Sequence, residues 1–334
     1  MLHPRQRRGI CTFRLISEIQ RPADIAGWAG FRISNLIPVT VSKTRKLAYF
    51  ALILAALIWG IAPPVIKYTL NFISPVSFLF FRFLVSSLIV IIPLVWRVKK
   101  IKPAATDWLV YFFLGFLCTP LNLLLLFWGI NKTSAIDASL ISITSPIFTT
   151  IGGILFLQEN TSKKKFIGLT VAITGTTLTI FQPLLESKTN FFAHLEGNFL
   201  VLLGTLVWVI FVILAKKYRH LDPFILSSFS FIIGLIIFFP LVSISHFSLT
   251  PSLLSALPGV LFMAIFSSVI AYFTHIYGLS KIEASEAEIF TYLQPIFAIP
   301  VSIIFLKETI TLPFILGALL IAVGVVICEY RQKI

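Results

Sequence analysis

Charge is what this sequence has least of. Only 12% of its 334 residues are Asp, Glu, Lys or Arg, while 57% are hydrophobic and the mean hydropathy is +0.97. A soluble domain carries about 25% charged residues, and one this apolar would expose patches that monomeric proteins avoid. A water-soluble class is thereby excluded. Cysteine is nearly absent as well: Cys11, Cys118 and Cys328 are scattered and odd in number, with no metal-ligand spacing and no disulfide framework. The last two read as small buried hydrophobes. The chain also lacks a Gly-rich phosphate loop, a His-rich cluster, a pair of intramembrane aspartates and a nucleophile beside a base. Those absences argue against an intramembrane enzyme and leave no cofactor to expect. No soluble domain is present to bind ATP, which disfavours a primary pump.

Acids are scarcer than bases, 13 against 27, giving a net charge of +14. The basic residues sit in short clusters between apolar runs, so they read as topological signals rather than a nucleic-acid footprint. Runs of about 20 apolar residues, enough to cross a bilayer, number ten in this reading. The first five are Leu47–Ile66, Pro75–Trp96, Trp108–Ile130, Ile136–Leu157 and Phe166–Leu184. The second five are Phe199–Leu214, Phe224–Ser243, Leu257–Leu279, Ala284–Leu306 and Leu312–Cys328.

With a cytoplasmic N-terminus, the inner loops hold Lys43, Arg45, Lys46, Arg97, Lys99, Lys100, Lys102, Lys163–Lys165, Lys216, Lys217, Arg219, Lys281, Arg331 and Lys333. The outer loops hold only Lys67, Lys132, Lys188 and Lys307. Basic loops stay inside, so both termini are expected on the cytoplasmic face of a plasma (inner) membrane. Residues 1–46 form a basic tail punctuated by Arg5, Arg7, Arg8, Arg14, Arg21 and Arg32. With no apolar core behind the basic start it does not read as a secretory signal. An organelle transit peptide, a disordered or interfacial tail and an over-extended start all remain open.

One fixed offset aligns the two halves of the chain. It pairs Trp59 with Trp208, Lys67 with Lys216, Gly129 with Gly278, and Pro146-Ile147-Phe148 with Pro295-Ile296-Phe297. It also pairs Glu159 with Glu308, Gly168 with Gly317 and Gly175 with Gly324; only the second helices slip. Two repeats follow, residues 47–184 and 198–330, joined by an external linker at 185–197 and followed by a short cytoplasmic tail at 331–334. Five helices per repeat is an odd number, so the second repeat is inverted in the membrane, and the loop charges agree. The fold class is an all-α integral membrane protein of ten transmembrane helices in two inverted five-helix repeats. Inverted repeats are the architecture of secondary transporters, because two pseudo-symmetric halves exchange inward-open and outward-open shapes around one site.

A family resemblance rests on Ala56-Leu57-Ile58-Trp59-Gly60, on Ser74-Pro75 followed by Arg82, on the two Pro-Ile-Phe segments, and on Phe156-Leu157-Gln158-Glu159 with Phe305-Leu306-Lys307-Glu308. In these features the chain resembles the EamA-type branch of the drug/metabolite transporter superfamily from about Lys46 to Tyr330. Val209, where the first repeat has Gly60, departs from the pattern. The resemblance implies a central cavity between helices one to four and six to nine, with five and ten peripheral. It leaves the substrate open among amino acids, nucleosides, carrier-linked sugars and drugs.

Several residues stand out inside the spans. Arg82 lies roughly 10 Å along the second helix and must face protein or water rather than lipid. It reads as an anchor for a substrate carboxylate or phosphate, or else as a partner of backbone carbonyls or an acid, or a snorkelling side chain. His275 and Glu288 fall at similar depth either side of one turn, with Glu286 close by. They read as a proton-coupling pair, or as an interfacial ion pair at a solvated helix start. Asn122, Ser145, Tyr272, Tyr292 and Gln294 read as substrate contacts or as interhelical hydrogen-bonding groups. Trp59 and Trp208, at mid-helix, read as cavity walls or packing. Glu159 and Glu308 precede Ser162 and Thr311, the expected caps of helices five and ten, and read as helix-end electrostatics. The partners expected are a small-molecule substrate, membrane lipid, and a coupling proton or counter-substrate. A lipid flippase is the alternative, ahead of an enzyme or a passive channel, and the glycine faces of helices five and ten leave the oligomer open.

Overall fold

The computed structural model describes residues 43–157, 163–185, 191–244 and 251–329, which form helices joined by short turns, with no strand among them. Helix α1 spans Lys43–Thr69, α2 Pro75–Ile101, α3 Ala105–Lys132, α4 Ala135–Phe156 and α5 Lys163–Leu185. Then come α6 Phe191–Lys217, α7 Pro223–Ile244, α8 Leu254–Lys281, α9 Glu286–Leu306 and α10 Leu312–Glu329. The Arg-rich tail with Cys11, the segment holding Glu159 and Ser162, Lys188, and Arg331 with Lys333 lie outside the described residues. So do the side chains of Lys163, Lys164, Lys165 and Cys328.

Among the described residues, eight of these helices are long and apolar enough to cross a membrane, and α5 and α10 add the apolar stretches Phe166–Gln182 and Leu312–Gly324. In α5, Thr170, Thr174, Thr176, Thr177 and Thr179 each donate a hydroxyl to the carbonyl four residues back. That bond satisfies a hydroxyl away from water without a second chain segment. A difference from the sequence reading lies at α6, which begins at Phe191 rather than Phe199. Asn198 breaks the apolar run there but not the helix: buried, it accepts from Thr133 Oγ1 at 2.5 Å and donates to the Ile180 carbonyl at 3.1 Å.

The two repeats pack across one another. Helix α2 lies against α7, α5 against α10, and α3 meets α6 as α8 meets α1. Gly129 permits the α3–α6 approach, since a Cβ there would stand 2.6 Å from Val201 and 2.8 Å from the Gly197 carbonyl. Gly278 does the same for α8–α1, where a Cβ would stand 2.5 Å from Leu52. Gly129 and Gly278 are repeat mates, and so are Val201 and Leu52. The lysines at the ends of α1 and α6 repeat the theme. Lys67 donates to the carbonyls of Ile130, Asn131 and Thr133 at 2.9, 3.1 and 2.6 Å, closing the end of α3. Lys216 donates to Leu279 and Ile282 at the end of α8. A cation over the carbonyls that a helix leaves unpaired at its C-terminus is favourable on both counts, hydrogen bonding and dipole.

At the α5–α10 contact the glycines of the two helices face each other. A Cβ on Gly175 would stand 2.8 Å from the Gly317 carbonyl, and one on Gly324 would stand 2.5 Å from Ala172 N. These small residues serve helix packing within the chain. Proline interrupts the regular turns near the middle of the bundle. Helix α4 breaks at Ile143–Thr144 before Ser145-Pro146, and α9 tightens to a 3-10 segment at Ile289–Leu293 before Gln294-Pro295. Helix α3 widens to a π-turn over Leu117–Leu121, and α8 over Met263–Ile270. Wide turns of this kind concentrate at functional sites because they release backbone carbonyls from the helical ladder.

Candidate functional site

These interruptions surround a cavity of about 110 Å³ at the centre of the bundle. Trp59, Ala62, Pro63 and Ile66 of α1 form one wall, with Asn122, Leu123 and Leu126 of α3. Arg82 reaches in from α2, Ser142 and Ser145 from α4, Thr205 and Trp208 from α6. Met263, Ser267 and Tyr272 of α8, with Thr291 and Gln294 of α9, complete it. Of the residues expected from the sequence to touch substrate, Arg82, Trp59, Asn122, Ser145, Trp208, Tyr272 and Gln294 line this one space, whereas Tyr292 packs against the apolar cluster of Ile136, Leu140 and Phe314. Helices α5 and α10 contribute none, and neither does α7. Instead α7 backs the wall, stacking Phe238 on Phe83 at 5.8 Å, one residue beyond Arg82.

Arg82 owes its position to the start of α2. The Ser74 hydroxyl caps that helix by accepting from Ser77 N at 3.2 Å, and Pro75 fits the first turn. Two turns on, Arg82 is 1% exposed. Its Nε donates to Ser268 Oγ at 2.7 Å and its Nη2 to Ser267 Oγ at 3.4 Å. The Phe83 and Phe127 rings lie 5.9 and 5.8 Å from the guanidinium carbon. Nη1 has no hydrogen-bond partner, and no carboxylate among the described residues pairs with this side chain. The π-turn of α8 supplies both serines. It also offers its carbonyls to other helices: Ser267 O accepts from Trp59 Nε1 at 3.1 Å, and Ala264 O accepts from Ser86 at 3.1 Å.

A second polar centre adjoins the cavity. His275 Nε2 and Glu288 Oε1 lie 3.2 Å apart, in contact but not aligned as a hydrogen bond, with side chains 3% and 0% exposed. The turn at Ile282–Glu283 brings them together at one depth. Glu288 Oε2 accepts from Ser145 Oγ at 2.9 Å and from Trp208 Nε1 at 3.3 Å. The carboxylate thus joins α4, α6, α8 and α9 at a single point. Trp59 packs on His275 at 4.9 Å, on Tyr272 at 5.1 Å and edge-on to Trp208 at 5.5 Å between ring centroids. These rings link the cavity to the His–Glu pair. Burial of this kind removes the pair from bulk solvent, which a solvated helix start would not do.

Other expected residues go elsewhere. Glu286 accepts from Arg45 Nη2 at 2.5 Å and from the Tyr49 hydroxyl, tying the starts of α9 and α1. Glu308 does not serve its own α10. Its two oxygens accept from Ala135 N at 2.8 Å and Ile136 N at 3.0 Å, capping α4 of the other repeat. Asn122 donates to the Gly204 carbonyl at 2.7 Å, and Tyr272 to the Cys118 carbonyl at 3.4 Å, so both combine cavity lining with interhelical bonding. The sequence reading missed Ser267, Ser268, Ser142, Thr205 and Thr291. Serine is common in apolar spans, and only the π-turn makes both of the adjacent serines ligands of Arg82.

Comparison with known proteins places these features in context. The EamA-like transporter family matches residues 46–181 and 195–329, one match per repeat. An uncharacterized transporter of Archaeoglobus fulgidus is 29% identical over 288 residues, covering 85% of this chain and 99% of its own length. A second from the same organism is 26% identical over 299 residues, covering 87% and 99%. The uncharacterized transporter YyaM of Bacillus subtilis is 27% identical over 270 residues, covering 78% and 86%. A solved crystal structure is similar at a TM-score of 0.64 and 14% identity, over 85% of this chain and 96% of that one, a likeness of fold.

Proposed function

Since this chain belongs to the EamA-like transporter family, we propose that it is a secondary active transporter that moves small polar or charged metabolites by alternating access, as an exporter or an exchanger. The observation that carries this reading is the central cavity itself. Both repeats line it, its walls are mostly apolar, and among the described residues it contains one fixed charge, Arg82. Pockets of this make-up, apolar with a few convergent polar groups, are the usual form of small-molecule sites. The helices broken at Ser145-Pro146 and Gln294-Pro295 meet at the cavity, the arrangement that transporters use to present backbone groups to a substrate at the membrane midplane.

In this reading the chain crosses the plasma (inner) membrane ten times, with α5 and α10 at the periphery and both termini cytoplasmic. The two repeats, inverted relative to each other, alternate their packing around the cavity. The buried His275–Glu288 pair takes up and releases the coupling proton. Intramembrane carboxylates and histidines are recurrent components of proton relays. Glu288 reports its charge state to the cavity through Ser145 and Trp208, both of which line that space. No covalent step is assigned to any residue.

The test is reconstitution. Purified protein in liposomes loaded with a pooled metabolite extract, followed by mass spectrometry with and without a pH gradient, should release one chemical class selectively relative to protein-free liposomes. Equal release from both preparations would overturn the exporter. New products in place of a lost compound would point to an enzyme.

A further inference from the structure

The cavity holds a cation without a counter-ion. Arg82 is 1% exposed, two of its nitrogens are bound by serine hydroxyls, and Nη1 is left without a partner in a side chain that lines the cavity. A buried charge is costly unless paired, and an arginine does not escape by giving up its proton. No carboxylate among the described residues supplies the balancing negative charge, and a bound anion can. We propose that the substrate is a small organic monoanion, with a carboxylate head that pairs with Arg82 Nη1 and an apolar body. This inference rests on the cavity being the transport site.

Valence follows from what else faces the space. Among the described residues, Arg82 is the only charged one lining it. One guanidinium balances one carboxylate, whereas a phosphate near two negative charges would keep an uncompensated charge against mostly apolar walls. An amino-acid zwitterion brings the opposite difficulty. Its ammonium group would require an acid, and the nearest candidate, Glu288, is fully buried outside the lining. Its Oε2 is occupied by Ser145 and Trp208, and its Oε1 faces His275. A cation would meet Arg82 itself.

The body of the ligand follows from the walls and from the room. Pro63, Ile66, Leu123, Leu126 and Met263 offer no hydrogen bonds and exclude water from a polar body. A volume of about 110 Å³ lies well below the roughly 300–1,000 Å³ of drug-sized sites, so the body is no larger than a ring or a short branched chain. The head group site is fixed before the ligand arrives. Ser268 and Ser267 hold one edge of the guanidinium, while Phe83 and Phe127 flank it. Ser268 is accordingly a positioning residue: it acts on the ligand through the orientation of Arg82.

Calorimetric titration of the detergent-purified protein at pH 7.5 tests this with five probes of one ring size. These are benzoate, neutral benzamide, cationic benzylamine, zwitterionic phenylalanine and phenyl phosphate. Benzoate should bind at least about tenfold more tightly than each of the others, as loss of one charge-assisted pair implies. Arg82→Gln should abolish benzoate binding, and Arg82→Lys should weaken it. Ser268→Ala should weaken benzoate several-fold while leaving benzamide unchanged, which keeps the test decisive if Arg82→Gln fails to fold. Benzamide equal to benzoate, preference for benzylamine, phenylalanine or phenyl phosphate, or no binding by any probe would overturn the proposal. The pooled-extract efflux separates the two readings. Release of cations or neutral sugars would keep the transporter and sink the monoanion; benzoate binding without efflux of any compound would do the reverse.

Discussion

Glu288 shows how much a single side chain is asked to do in this bundle. A fully buried carboxylate is stable only when its lone pairs are occupied, and here a serine, a tryptophan and a histidine from three other helices surround it. Replacing it with Gln keeps the shape and removes the carboxylate proposed to carry the proton. Acid outside and neutral inside should accelerate wild-type efflux several-fold, and Glu288→Gln should run at one rate whatever the gradient. A gradient response that survives the substitution would move proton coupling elsewhere. The two helix-closing lysines give a second expectation at this scale. Lys67→Ala and Lys216→Ala each remove a cation from a set of terminal carbonyls, at a cost of roughly 1–3 kcal/mol apiece. Thermal melting in detergent should show similar drops for both. Arg82, His275 and Glu288 were visible in the sequence because a charge in an apolar run has few reasons to be there. Ser267 and Ser268 were not, because serine is common in such runs and only the π-turn of α8 directs both hydroxyls to one guanidinium.

Among the elements, the interfaces are set by glycine. On α1, a Cβ at Gly60 would stand 2.7 Å from the Gln294 carbonyl and 3.1 Å from Phe297 on α9. Gly60→Val should therefore push α9 and its cavity residues Thr291 and Gln294 outward, cutting efflux by at least about tenfold while the protein still elutes as a folded species. In the α5–α10 pair, the neighbours of Gly175 include two backbone atoms that cannot yield, Gly317 O and Ile321 N, both 2.8 Å from an added Cβ. Gly175→Leu should lower the melting temperature by several degrees, an overpacking cost of about 1–3 kcal/mol. An unchanged melting curve would mean that α5 and α10 do not pack through this face. The positions of the helix breaks were legible, since Pro146 and Pro295 deprive the preceding turn of a donor. The reach of Glu308 across to the N-terminus of α4 was not. Its sequence neighbours Thr311 and Pro313 suggest service to α10, and only the fold brings Ala135 and Ile136 within hydrogen-bonding distance.

The molecule as a whole is two copies of one plan folded against each other. The constant offset between Trp59 and Trp208, Gly129 and Gly278, and Lys67 and Lys216 anticipated that the halves are alike, and the structure adds that the like parts do the same job. What sequence could not supply is the closure of these parts around one space. The aromatic cluster of Trp59, Trp208, Tyr272 and His275 draws on three helices far apart in the chain, and its ring contacts depend on helix rotation that apolar periodicity does not specify. The break in α7's expected share of the lining has the same origin, because its phenylalanines are committed to packing behind Arg82.

The claim that this cavity is the path of transport is tested most directly by filling it. Ala62 is 6% exposed and lines the space from α1, so Ala62→Trp would occupy most of it without adding charge. Liposomes with wild-type protein should release one class of metabolite, and liposomes with an equal amount of monodisperse Ala62→Trp protein of similar melting temperature should retain it. Release at the wild-type rate from the filled variant would contradict transport through this cavity.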